Sequence, residues 1–190
     1  MTALKAILPP RAAPTLRTAR LVLRAPTRDD WPAYRDHVMS DRMSFSDAAP
    51  SEMAAWGRFA AEIAGWSLCG AGGLAIVHAD GLAGFVSLRD VPAYPELQLG
   101  NHLLPGFAGR GIAVEAAVAL RDWTRAELNP PSLVSYVDPR NAAARGNMAR
   151  LGAVEDPDAP RSDRPGDLVY RHWGPTQPQG RAARDGEVVA

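Results

Sequence analysis

The run Gly106-Phe107-Ala108-Gly109-Arg110-Gly111-Ile112-Ala113 follows an apolar stretch and opens a helical pattern. A glycine-rich turn between a strand and a helix presents consecutive backbone N–H groups, and the helix dipole adds positive potential. Such a turn suits a phosphate or diphosphate. Two common phosphate loops are excluded. A P-loop needs Gly-x4-Gly-Lys-Ser/Thr; Gly106 and Gly111 have the spacing, but Ile112 and Ala113 follow. A dinucleotide fingerprint needs a third glycine, and Val114 stands there. Taken alone, the loop serves equally well as a tight turn without a ligand. Other chemistry is sparse. His37, His78, His102 and His172 lack metal-ligand spacing, so no metal site is expected. The single cysteine, Cys69, excludes an intrachain disulfide and a cysteine-built metal site. It has no activating neighbour in sequence and reads as inert.

The rest of the chain must position that loop. Its 190 residues suit one domain, and 46% hydrophobic residues can bury a core. Lys plus Arg and Asp plus Glu both total 21, which argues against nucleic-acid binding by bulk charge. Gly and Pro number 17 each, so many turns are expected. No segment approaches 18 uninterrupted apolar residues, so no membrane span is expected. The N-terminal MTALKAILPP is too short in its apolar run for a signal peptide. One cysteine fits a reducing cytoplasm, which is the expected location.

Residues 1–15 read as a flexible arm and 174–190 as a disordered tail, leaving a domain over 16–173. Alternation in Thr18–Ala25 predicts a strand with Leu21 and Leu23 on one side. A capping-box pattern at Thr27–Asp30 opens a short helix to about Met39. Ser51 to about Ala64 reads as a second helix, with Met53, Trp56, Ala60 and Ile63 on its apolar face. Gly73–Ala79 and Leu82–Leu88 read as strands joined at Asp80-Gly81. Glu96–Leu104 is a further strand. The glycine loop then opens a helix to about Glu127, and Leu133–Val137 is a strand. Asn141–Leu151 is a helix closed by Gly152, and Asp167–Trp173 a last strand. The fold class is therefore α/β of the α+β type.

Three ordered segments carry a family resemblance. Thr18-Ala-Arg20-Leu21-Val-Leu23-Arg24 resembles the opening strand, T-x-R-L-x-L-R, of GNAT N-acetyltransferases. The branch of ribosomal-protein N-terminal alanine acetyltransferases is the most similar. Leu97-Gln-Leu-Gly-Asn-His-Leu and Gly109-Arg-Gly111-Ile-Ala113-Val-Glu115-Ala resemble that branch's E-L-G-Y-x-L and G-K-G-Y-A-x-E-A, the acetyl-CoA motif. Asn141 through Leu151-Gly152 resembles N-x-x-S-x6-L-G. The resemblance implies a mixed sheet of six or seven strands, splayed near Leu99–Leu104 and flanked by about four helices. It implies acetyl-CoA as cosubstrate and an amine acceptor, either a protein N-terminus or a small molecule. The pantetheine arm would pair around Asn101, His102 and Leu103. The pyrophosphate would sit on the amides of Gly109, Arg110, Gly111, Ile112 and Ala113, with Arg110 adding charge. Asn141 would face the pantetheine. Many relatives dimerise, so a homodimer is an option.

Three positions depart from the family pattern. Ala108 replaces the usual Gln or Arg, a change the loop's backbone donors survive. Gln98 and Ala144 replace the Glu and Ser that in relatives are proposed as base and thiolate-protonating acid. Neither residue titrates. Two substitutes are near: Glu96, on the same strand face as Gln98 and able to act through water, and His102, which titrates in the useful range. An amine attacks a thioester directly, so its own protonation matters most. At pH 7 an α-amine of pKa about 7.7–8.0 is roughly a tenth neutral, against about 0.04% for a lysine near 10.4. A weak-base site therefore suits an α-amine. A CoA-binding sensor without catalysis is the principal rival, motivated by Gln98 and Ala144. A phosphate-ligand domain unrelated to CoA is the second.

Other residues read more blandly. Glu115 favours the helix dipole, and Arg11, Arg17, Arg20 and Arg24 read as a solvated face. Tyr136 and Asp138 end a strand near the expected cleft and are candidates for substrate contact. Trp31, Trp56, Trp66 and Trp123 read as core or cleft wall.

Overall fold

Leu21 and Leu23 are both buried, as the alternation requires, and Val22–Arg24 forms strand β2. It pairs back onto the two-residue β1, Leu16–Arg17. The computed structural model describes residues 8–43, 45 and 48–175. Helix α1 spans Trp31–Val38, and Thr27 N–H donates to Asp30 Oδ2 (2.7 Å) just ahead of it. Pro32 lies in its first turn, where its missing N–H costs nothing. Helix α2 spans Glu52–Cys69, with Ser51 Oγ accepting from Ala54 N–H and Gly70 (φ 68°) ending it in the left-handed region. Strands β3 (Gly73–His78) and β4 (Gly81–Arg89) form the hairpin at Asp80-Gly81. Then come β5 (Gln98–Leu103), α3 (Ile112–Trp123), β6 (Leu133–Val137), α4 (Ala142–Arg150), β7 (Val154–Glu155) and β8 (Leu168–Trp173).

The strands form one mixed sheet in the order β1-β2-β3-β4-β5-β6-β8-β7. Its eight strands exceed the expected six or seven because β1 and β7 are two-residue ribbons too short to show periodicity. Every pairing is antiparallel except β5–β6. Those two strands meet only where Gln98 faces Val134, secured by Val134 N–H to Leu97 O (3.0 Å). Beyond that register they diverge, and the β5 edge from Gly100 to Leu103 stays unpaired on this side. This is the expected splay.

The sheet is covered on both faces. Ile112, Ala116 and Leu120 of α3 pack on Leu74, Ile76, Val86, Leu88, Leu97 and Leu99. On the opposite face Tyr34, Val38, Ala55 and Phe59 of α1 and α2 pack on Ala75 and Phe85. A fully buried side chain of this kind contributes about 1.5–3 kcal/mol.

Two expectations need correction here. The apolar face of α2 is not the predicted one: Met53 is 76% exposed, and Trp56 and Ile63 are also exposed. Ala55, Phe59, Glu62 and Trp66 are buried instead. The helix is apolar on most of its circumference, and the charge of Glu62 hid the true stripe. Glu62 is tolerated inside because Arg89 donates to it twice (2.7 and 3.1 Å). The expected flexible arm is docked from Leu8 onward. Leu8 is buried, Arg11 N–H donates to Trp66 O (2.9 Å), and the Arg11 guanidinium lies over the Trp123 ring. Residues 1–7 of the arm, and 176–190 of the expected tail, lie outside the described residues. Among the described residues no helix is long and apolar enough to cross a membrane.

Candidate active site

The glycine loop has the geometry its composition calls for. Gly106, Gly109 and Gly111 have φ of 87°, 76° and 76°, a region that costs other residues about 1–2 kcal/mol each. Gly111 is the N-cap of α3 and supplies no side-chain cap. The first-turn amides, Ile112 and Ala113 among them, therefore keep their N–H groups for an outside partner. Asn101 ties β5 to this turn through Nδ2 to Ala113 O (3.4 Å). This contact brings the β5 edge beside the first turn of α3.

Side chains around the loop are less free than the sequence implied. Arg110 donates to Asp80 Oδ2 (2.7 Å) in the β3–β4 turn and lies over the Phe107 ring. Arg20 donates through Nε to Glu115 Oε2 (2.8 Å) and through Nη1 to the Arg110 carbonyl (3.1 Å). Arg24 forks onto Asp30 (2.7 and 2.9 Å). The arginines read as a solvated face thus do specific work at Arg11, Arg20 and Arg24. Asn141 Oδ1 caps α4 by accepting from Ala144 N–H (2.9 Å), which leaves its NH2 group to meet a ligand.

Where β5 and β6 part, Ser135 Oγ donates to Leu99 O (2.7 Å) and lies 3.0 Å from His172 Nε2. A carbonyl can only accept, so the serine proton is committed to it. His172 must then donate from Nε2, which fixes its neutral tautomer. Burial first, then the charge of Arg121, lowers this imidazole to about 4.

The two candidate catalytic residues occupy different surroundings. Glu96 is fully buried and accepts both fork hydrogen bonds of Arg171 (2.8 and 3.0 Å), while Arg171 Nε donates to Asp156 (2.6 Å). A carboxylate so enclosed is a structural ion pair, and no route takes a substrate proton to it. His102 lies on the α1–α2 side of β5, stacked flat on His37 with ring centres 4.7 Å apart and planes 6° apart. Tyr34 and Phe85 close around it at 5.7 and 5.3 Å. Burial, then the neighbouring His37 and Arg89, holds His102 well below its ordinary value, so it is neutral at pH 7. Its Nε2 is buried without a hydrogen-bond partner among the described residues, and so is Oε1 of the buried Gln98. Residues 98 and 102 share one face of the strand. Gly100 stands between them, and the Gln98 side chain folds over it: a Cβ there would lie 2.7 Å from Gln98 Nε2.

Tyr136 stacks on Tyr94 (5.1 Å, 11°), and burial pushes its phenol above the usual range. Asp138 accepts from Arg140 (2.7 and 3.0 Å), which brings it down to about 2, and Arg164 adds a 3.5 Å contact. Arg164 also donates to Phe45 O (3.2 Å), linking the β7–β8 loop to the α1–α2 connection. Of the tryptophans, Trp66 is buried and donates to Gly73 O (2.9 Å), whereas Trp56 is exposed and packs edge-on against Trp31.

Comparison with known proteins agrees with this geometry. Residues 20–154 match the family described as the acetyltransferase (GNAT) domain. An acetyltransferase from Agrobacterium tumefaciens is 44% identical, with 85% of this chain and 95% of that one covered and a TM-score of 0.80. Two more distant structures share the fold. A ribosomal-protein alanine acetyltransferase from Vibrio fischeri is 17% identical over 83% of this chain and 94% of that one (TM-score 0.64). A spermidine N-acetyltransferase from Vibrio cholerae, in complex with CoA and spermine, is 18% identical over 81% and 94% (TM-score 0.64). The fold and the family match define an acyl-CoA-dependent transferase. The chain belongs to the GNAT acetyltransferase family, and it is an acetyl-CoA-dependent N-acetyltransferase.

Proposed function

We propose that this enzyme acetylates an amine of low pKa, a peptide α-amine or a comparable small-molecule amine, held on the β5 face that carries Gln98 and His102. The observation that carries this reading is a pair of buried atoms without a partner among the described residues, Gln98 Oε1 and His102 Nε2, on either side of Gly100. A buried acceptor without a donor costs about 1–3 kcal/mol, which an incoming N–H group relieves. The similarity to ribosomal-protein acetyltransferases supports a protein N-terminus as acceptor.

The residues present fit acetyl-CoA. The left-handed glycines and the open α3 amides match a diphosphate, and the unpaired β5 edge around Asn101, His102 and Leu103 matches the amides of a pantetheine arm. When bound, acetyl-CoA supplies the acetyl group as a thioester. The protein's own work is to orient and to desolvate. The Gly109–Ala113 amides hold the phosphates. Gln98 accepts from the acceptor amine and orients its lone pair. His102, neutral and enclosed by Tyr34 and Phe85, presents Nε2 to the same region and can take the proton the amine sheds. Gln98 cannot titrate and Glu96 is sealed, so the acceptor must arrive largely neutral. That requirement selects an α-amine over a lysine by the arithmetic of their pKa values.

A panel of peptide α-amines, Nα-blocked lysine peptides and polyamines, assayed by thiol release with acetyl-CoA, tests the proposal. The α-amine group is expected to lead. A polyamine or lysine acceptor turning over faster at pH 7 would refute the assignment of the acceptor.

A further inference from the structure

Glu115 poses an electrostatic problem. It lies in the first turn of α3, the helix end that completes the glycine cradle. An acid there suits an isolated helix. Beside a diphosphate it is a like charge competing for the same positive potential. Its surroundings answer the problem. Thr18 Oγ1 donates to Glu115 Oε1 (2.5 Å), and the Arg20 backbone N–H reaches the same oxygen (3.2 Å). The Arg20 guanidinium meets the other oxygen through Nε (2.8 Å) and Nη2 (2.6 Å). Partial burial pushes the Glu115 carboxyl up, but these hydrogen bonds outweigh it and keep the group ionised.

Arg20 also reaches the loop. Its Nη1 donates to Arg110 O (3.1 Å), which ties down the peptide that precedes Gly111. Its Nη2 lies 3.5 Å from where a Cβ on Gly111 would stand. The other cation of the loop, Arg110, is engaged by Asp80.

We propose that Arg20 is a positioning residue for CoA. It cancels Glu115 at the mouth of the cradle and fixes the Arg110 peptide, so that the α3 amides meet a diphosphate without a competing carboxylate. This rests on the reading of the glycine loop as the CoA phosphate site.

A purely mechanical brace and a charge-cancelling pair predict different double mutants. CoA is titrated calorimetrically into wild type, R20Q, E115Q and R20Q/E115Q, with thermal melts confirming that each is folded. R20Q leaves Glu115 uncompensated and is expected to weaken CoA about tenfold or more. E115Q should cost less than about threefold, and the double variant should bind CoA at least about threefold more tightly than R20Q. A double variant no tighter than R20Q, or an E115Q loss equal to that of R20Q, would overturn the proposal. R20K serves if R20Q does not fold. It keeps the charge without the two-way fork, should lose less than about threefold, and contradicts the charge account if it loses tenfold. Gly111→Val separates this inference from the reading beneath it. If Gly111→Val binds CoA as wild type does, the loop assignment fails. If Gly111→Val loses CoA while R20Q keeps it, only the Arg20 proposal fails.

Discussion

Arg171 holds Glu96 through two parallel hydrogen bonds of 2.8 and 3.0 Å, with both side chains buried and Asp156 on the remaining guanidinium edge. This links β8 to the segment just before β5, beneath the point where the sheet splays. Glu96→Gln keeps Arg171 paired with Asp156 but sets an amide NH2 against a guanidinium N–H, which leaves buried donors unsatisfied at a cost of about 1–3 kcal/mol. Glu96→Gln is therefore expected to lower the urea midpoint substantially while folded enzyme keeps its turnover with a good acceptor. Parallel denaturation and thiol-release assays check this. Loss of turnover at unchanged stability would return Glu96 to the chemistry.

Acid should weaken the fold through its histidines. His172 has an ordinary value of 6.5 and about 4 in the folded protein. The unfolded chain therefore binds the extra proton first, and the stabilisation is complete above pH 6.5. It is lost as pH falls from about 6.5 towards 4, by about 3 kcal/mol if that shift is fully expressed. His102 acts in the same direction. Urea midpoints at pH 7 and pH 5 should differ, and His172→Gln should shrink the difference.

Gly111 and Gly109 share φ 76° but differ in surroundings. A methyl group at Gly109 meets open space, and one at Gly111 meets Arg20 Nη2 at 3.5 Å, an ordinary contact. Alanine at either site should cost only the backbone strain, about 1–2 kcal/mol. Gly111→Val adds bulk at the cradle and should weaken CoA at least about tenfold. Calorimetry on folded variants separates the two effects. Equal CoA affinity in Gly111→Ala and Gly111→Val would contradict close phosphate approach at residue 111.

The loop, the β3–β4 hairpin and the splayed strand were legible because each has a local signature: glycines needing positive φ, Asp80-Gly81, and an apolar run before the loop. The face of α2 was not, because Glu62 breaks the pattern and its partner Arg89 is 27 residues away. Glu96 misled for the same reason: it lies just before β5 rather than in it, and only the fold brings Arg171 to it from 75 residues further on. Arg20 and Glu115, 95 positions apart, could be read only as surface charge and helix-dipole acid. Long-range ion pairs leave no periodic trace, and they account for most of what the sequence concealed about this site.

The acceptor's own ionisation should shape the rate. With saturating acetyl-CoA, kcat/KM for a peptide α-amine should rise about tenfold per pH unit below about 7.7–8.0 and level off above it. A plateau already reached at pH 6.5 would point to a base on the enzyme that controls the proton.

The most direct test sets one peptide with a free α-amine against the same sequence with a blocked N-terminus and a free lysine. Thiol release at pH 7 with saturating acetyl-CoA is the readout. The account predicts turnover of the α-amine peptide and little of the lysine peptide. Equal rates, or a faster lysine peptide, would contradict a site that relies on the neutrality of its acceptor.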